Sequence, residues 1–163
     1  MRVTQYAWTS GPLQLAQSVH SVSHMIPKTL LVRDVMTKDV VTLERNEKLT
    51  VADDVMRLGR IRHLPIVDED GALAGIVSQR DLFHSGLMRA LGYGSHAKDR
   101  AMDLLVLKEA MKTEVVTITP AAPLAEAAKT MLERKIGCVV VVEGKKIVGI
   151  LTESDFVKLA LRD

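Results

Sequence analysis

The chain has 163 residues, of which 47% are apolar and only 3% aromatic, so one domain with a sizeable aliphatic core is expected, with few stacking platforms for single-stranded nucleic acid. Its 22 Lys and Arg oppose 20 Asp and Glu with the signs interspersed, which argues against a duplex-binding surface and against nucleic acid as a partner. Every apolar run breaks short of the ~18 residues of a membrane helix, and the single Cys138 lies in an apolar run as a buried, inert thiol, so a reducing, cytoplasmic setting without membrane contact is expected.

Residues 1–30 are rich in Ser, Gln and small residues and carry no acid, which reads as a flexible N-terminal tail. His20 and His24 share a four-residue spacing but have no carboxylate or thiolate nearby, so they do not suggest a metal site. From residue 32 onward the chain reads as one passage written twice: Met36, Val41, Thr42, Leu49, Ala52, Met56, Ile61 and Val67 each recur 75 positions later. The first copy spans 31–92, a connector 93–106, and the second copy 107–163. Two units this short should pair about a pseudo-two-fold axis into one module and leave clefts at their seam.

Each copy opens on a short β-like run, Val40 to Leu43 and Val115 to Ile118. An amphipathic helix follows, clearest in Leu124, Ala127, Ala128, Met131 and Leu132 and repeated less fully in Leu49, Ala52, Val55 and Met56. Leu64-Pro-Ile-Val67 and Val139-Val-Val-Val142 are apolar on both faces and read as central strands, each closed by a polar turn at Asp68–Gly71 and Glu143–Lys146. A further strand and a helix start complete a β-α-β-β-α unit, and the whole is a mixed α/β (α+β) fold. After the first unit, Leu87, Ala90 and Leu91 continue the helix, and Gly92-Tyr-Gly94 ends it as a turn rather than a phosphate loop.

The chemistry concentrates in Gly75-Ile-Val-Ser-Gln-Arg-Asp81 and Gly149-Ile-Leu-Thr-Glu-Ser-Asp155. At a strand-to-helix junction, Ser78 or Thr152 sits beside unpaired backbone N–H groups and the positive end of a helix dipole, a setting that favours an anion such as phosphate. The Asp three residues later only accepts hydrogen bonds, which suits the two donors of a ribose diol. The same spacing resembles a capping box that merely satisfies the helix start, although such boxes prefer Glu or Gln. No Walker-type loop, zinc-protease helix or nucleophile elbow is present, so no enzyme can be assembled from the motifs.

The chain resembles tandem CBS-domain proteins, the family named for the regulatory domain of cystathionine beta-synthase. The resemblance runs through Asp34-Val-Met-Thr37, Ile61-Arg-His-Leu-Pro-Ile-Val-Asp68 and the Ser78 motif, and in the second copy through Glu109-Ala-Met-Lys-Thr113, Ile136-Gly-Cys-Val-Val-Val142 and the Thr152 motif. It implies a non-catalytic, stand-alone sensor that binds an adenosine-containing ligand (AMP, ADP, ATP, S-adenosylmethionine or NAD) between the repeats. No obligatory cofactor is implied, and Mg2+ would accompany a nucleotide. Carried over by position, Asp81 and Asp155 would hold ribose, and Ser78 and Thr152 would meet phosphate. Thr37 falls in the matched ligand set. Backbone around Ile61, Arg62 and His63, and around Ile136, Gly137 and Cys138, would read adenine, and Val41 and Val116 would wall the sites. Arg62 would reach phosphate beside Asp155 while Arg80 served Asp81, which predicts tighter phosphate binding beside Asp155. The family further implies a homodimer and a regulated partner such as an enzyme, transporter or kinase. The competing reading is a structural dimerisation module whose hydroxyls and carboxylates only cap helices.

Overall fold

Each repeat builds one three-stranded sheet, and the computed structural model describes them through residue 27, residues 29–90 and residues 105–161. The first repeat contains α1 (Val32–Val35), β1 (Leu43–Glu44), α2 (Leu49–Gly59), β2 (His63–Val67), β3 (Leu73–Ser78) and α3 (Gln79–Ala90). The second contains a 3-10 turn at Leu107–Glu109, then β4 (Thr117–Ile118), α4 (Leu124–Arg134), β5 (Cys138–Glu143), β6 (Lys146–Thr152) and α5 (Glu153–Leu159). This is the expected mixed fold of two β-α-β-β-α units. His20, His24, Gly92-Tyr-Gly94, most of the connector and most of the N-terminal segment lie outside the described residues.

In each sheet the central strand pairs in parallel with the short first strand and antiparallel with the third. A parallel neighbour needs a crossover, and α2 and α4 supply it. They lay Leu49, Ala52 and Met56, and Leu124, Ala127, Ala128 and Met131, against their sheets. Leu132, expected on that stripe, is 49% exposed. At 100° per residue it stands about 90° round from the stripe's centre. The antiparallel pairs close through turns with Gly71 and Gly144 at positive φ, 75° and 62°, where a side chain would be strained. In the first turn Asp68 is structural, since its Oδ1 accepts the Asp70 and Ala72 N–H groups at 3.0 and 2.9 Å.

The opening strands are shorter than expected and begin later, at Leu43 and Thr117. From these residues onward the chain runs in register with the central strands, with Leu43 beside Ile66 and Thr117 beside Val140, and Val116 adds a carbonyl that accepts the Val140 N–H at 3.1 Å. The chain before them is engaged elsewhere, because each repeat lends its leading segment to the other. Thr37 exchanges two backbone hydrogen bonds of 2.9 Å with Ile150 on β6, and Lys112 exchanges two of 2.9 Å with Ile76 on β3. Val32 and Val35 are accordingly buried among α4, β5 and β6, while Leu105 and Leu107 are buried among α2, β2 and β3. The sequence repeats and the physical cores therefore do not coincide.

Candidate functional site

The two strand-to-helix junctions place their carboxylates differently from what their matching sequences suggest. Asp81 Oδ2 accepts the Ser78 N–H at 2.9 Å and the Ser78 hydroxyl, and its Oδ1 pairs with Lys112 Nζ at 3.0 Å. Asp155 Oδ2 accepts the Thr152 N–H and hydroxyl, both at 2.8 Å, and its Oδ1 accepts Lys158 Nζ at 3.1 Å and the Thr37 hydroxyl at 3.4 Å. Both aspartates thus close capping boxes on their own helices. A carboxylate offers about four lone-pair sites. Asp155 has all of them engaged and its side chain is 4% exposed, whereas Asp81 has one open and is 16% exposed.

The seam between the repeats is open. A cleft of about 750 Å³ runs between them, within the size range of small-molecule sites, with Asp81 and Ser78 on one wall. Arg62 and His63 at the start of β2, Ile136 to Cys138 at the start of β5, and Val115 and Val116 before β4 line it as well. The repeats approach each other closely here: a Cβ on Gly137 would stand 3.1 Å from the His63 imidazole and 3.6 Å from Glu153. The lining mixes cations (Arg62, Arg80, Lys112, Lys135) with acids (Asp53, Asp81, Glu114, Glu153).

Burial lowers the pKa of His63 below its ordinary 6.5, the adjacent Arg62 charge adds to this, the Glu153 and Asp81 charges oppose it, and Lys112 lowers it slightly further. Burial raises that of Asp81, but hydrogen bonds from Ser78 and Lys112 outweigh it and hold the carboxyl below 3.8. Burial, with the Glu153 charge, pushes the Cys138 thiol up to about 12, consistent with an inert thiol.

Nine of the expected ligand residues line this cleft: Arg62, His63, Ser78, Arg80, Asp81, Val116, Ile136, Gly137 and Cys138. Five do not. Thr37, Thr152 and Asp155 are bonded to one another, Ile61 packs against the first core, and Val41 is 49% exposed away from it. Arg62, expected beside Asp155, lines the cleft that holds Asp81. Lys112 is the residue that sequence reasoning missed. The signal was present, because Lys112 stands 75 positions after Thr37 in the repeat.

A family model described as CBS domain matches residues 32–87 and 107–162. A CBS domain-containing protein of Dictyostelium discoideum is 31% identical over 134 residues, covering 82% of this chain and 92% of that protein. Four further curated relatives are longer, and the chain spans between 26% and 53% of their length. Among solved structures, a Vibrio cholerae protein provisionally assigned to acetoin utilization (AcuB) is 41% identical, with 81% and 90% of the two chains covered and a TM-score of 0.70. The CBS domain pair of protein MJ0100, solved with 5'-methylthioadenosine and S-adenosylmethionine, is 30% identical, with 80% and 95% covered and a TM-score of 0.65. No helix among the described residues is long and apolar enough to cross a membrane.

Proposed function

The chain belongs to the CBS-domain family, and from that premise we propose that it is a regulatory ligand-binding module that takes an adenosine-containing molecule in the Asp81 cleft. The observation that carries this reading is the open seam with a partly unsatisfied carboxylate in its wall. A purely structural junction would have both aspartates saturated, as Asp155 is. The binding of two adenosine derivatives by the MJ0100 pair supports the ligand class. Asp81 and Ser78 would meet ribose and phosphate, and the backbone of residues 136–138 would face the base. Asp155 is assigned to the fold. The reading is non-catalytic: the ligand acts by favouring one relative pose of the repeats, to the extent that it binds that pose better. Any Mg2+ would arrive on the ligand's phosphates, since no acid cluster able to hold a metal stands among the described residues.

Thermal unfolding with and without AMP tests this reading. Ligand at 100 times its dissociation constant adds about 2.7 kcal/mol, which is a rise of about 5 to 10 °C for a chain of this size. Hydrogen bonds to a charged group contribute about 1.5 to 3 kcal/mol each, so Asp81→Ala should weaken AMP roughly tenfold or more. Asp155→Ala should lower the unfolding temperature of the unliganded protein while leaving AMP affinity near the wild-type value. Equal affinity in wild type and Asp81→Ala would return the junction to a plain helix cap.

Two chains are further proposed to associate, as the family resemblance implies. Leu58, Phe83 and Val157 are exposed on α2, α3 and α5 at 75, 56 and 63%, and Phe83 and Val157 are equivalent positions of the two repeats. A monomer in sedimentation at micromolar concentration would remove the dimer.

A further inference from the structure

We infer that Lys112 is a displaceable counter-ion that makes the Asp81 cleft select phosphate-bearing nucleosides over uncharged or sulfonium ones. The inference rests on the nucleoside reading of the cleft. Asp81 has three of its about four acceptor sites in use, two on Ser78 and one on Lys112. A ribose diol brings two donors, so one existing partner must leave. The Ser78 bonds are local and anchor the start of α3, whereas the Lys112 side chain is 67% exposed and reaches Asp81 from the other repeat's leading segment. Lys112 is the partner that yields.

The displaced ammonium then stands beside the ligand without its carboxylate. Its backbone cannot follow the side chain out, because both of its hydrogen bonds to Ile76 hold it on β3. The fit is close there: a Cβ on Gly75 would come within 2.9 Å of the Lys112 carbonyl. Asp81 keeps its charge when it accepts from a neutral diol, but the ammonium it releases joins Arg62 and Arg80 in the cleft lining as a cationic donor free to pair with an anion on the ligand. A 5'-phosphate supplies that anion. Adenosine and methylthioadenosine do not, and S-adenosylmethionine, whose one carboxylate is outweighed by its ammonium and sulfonium, carries a net positive charge. The other repeat has no such device, since Thr37 occupies the equivalent position and Asp155 takes Lys158 from its own helix.

Calorimetric titration of the full chain with AMP and with adenosine decides the matter. Wild type should prefer AMP by about tenfold to a hundredfold, the effect of one charge-assisted hydrogen bond. Lys112→Thr should bring the two affinities within about threefold, with AMP weakened and adenosine unchanged or tighter because Asp81 is released. Lys112→Arg should keep the preference, and Lys112→Gln should behave as the Thr variant. Binding of both compounds with a preference indifferent to Lys112, or no preference in wild type, overturns the selection by Lys112 while the nucleoside cleft stands. Binding of neither compound by wild type overturns both.

Discussion

His63 is a residue at which the two repeats touch, with the Gly137 backbone against its ring. Burial and the neighbouring Arg62 charge disfavour its protonated form, so its folded pKa lies below the 6.5 of the unfolded chain. Unfolded chains therefore bind the extra proton first as pH falls. The stabilising contribution of this group is complete above 6.5 and is lost as pH drops through 6.5 towards the lower folded value. Asp81 shifts the same way but acts only below 3.8, so it does not intrude on that window. Between about pH 7.5 and 5.5 the unfolding temperature of wild type should fall more steeply than that of His63→Gln. Parallel profiles would show that the imidazole is not held neutral by the seam. Much at this scale was legible: the hydroxyl and carboxylate types at Ser78 and Asp81 were readable as acceptor chemistry from spacing alone. The state of those groups was not. Whether a carboxylate is saturated depends on Lys112, Thr37 and Lys158, of which two arrive from the opposite repeat.

At the scale of elements, the stripe of Leu124, Ala127, Ala128 and Met131 and the doubly apolar runs around Ile66 and Val140 announced a crossover helix and a central strand, and all are buried except Val67 and Val142 at the strand ends, which are half-buried. These signals survive because local periodicity and tertiary burial coincide there. The opening strands were misplaced because Val40, Val41 and Val115 have strand-like composition without a place in the sheet register, and Val116 contributes only a carbonyl that accepts the Val140 N–H. Val41 is half exposed and Val116 lines the cleft, so composition alone marks residues that fit a pleated surface, not residues that find one. Gly75 and Gly149 show the same limit. Each reads only as the opening of the repeated motif, yet a Cβ at either would press on the Met and the following backbone carbonyl of a segment 36 residues after Gly75 or 113 before Gly149. Periodicity reports which face is apolar, and close approaches of this kind leave no trace in it.

For the molecule as a whole, the exchange of leading segments separates the unit of sequence from the unit of folding. The duplicated passage suggests that residues 31–92 could stand as one half. That stretch carries Val32 and Val35, whose burial is against the second sheet, and it lacks Leu105 and Leu107, which are 6% and 0% exposed in the first core. Burying each large aliphatic side chain contributes about 1.5 to 3 kcal/mol. Losing two removes about 3 to 6 kcal/mol from a total that is typically about 5 to 15 kcal/mol. A unit of some 60 residues has little margin for that loss. The continuous stretch 38–112 instead holds every buried member of the first core, from Leu49 to Leu107, together with its three strands. Expressed separately, fragment 38–112 should show a cooperative urea transition by circular dichroism, and fragment 31–92 should show none. A cooperative transition of equal midpoint in fragment 31–92 would mean that the borrowed leucines are dispensable and that the repeat folds as it is written. If fragment 38–112 alone folds, ligand in the cleft acts across a seam between two cores that each hold a strap from the other, so the pose of the repeats and the position of Lys112 must change together.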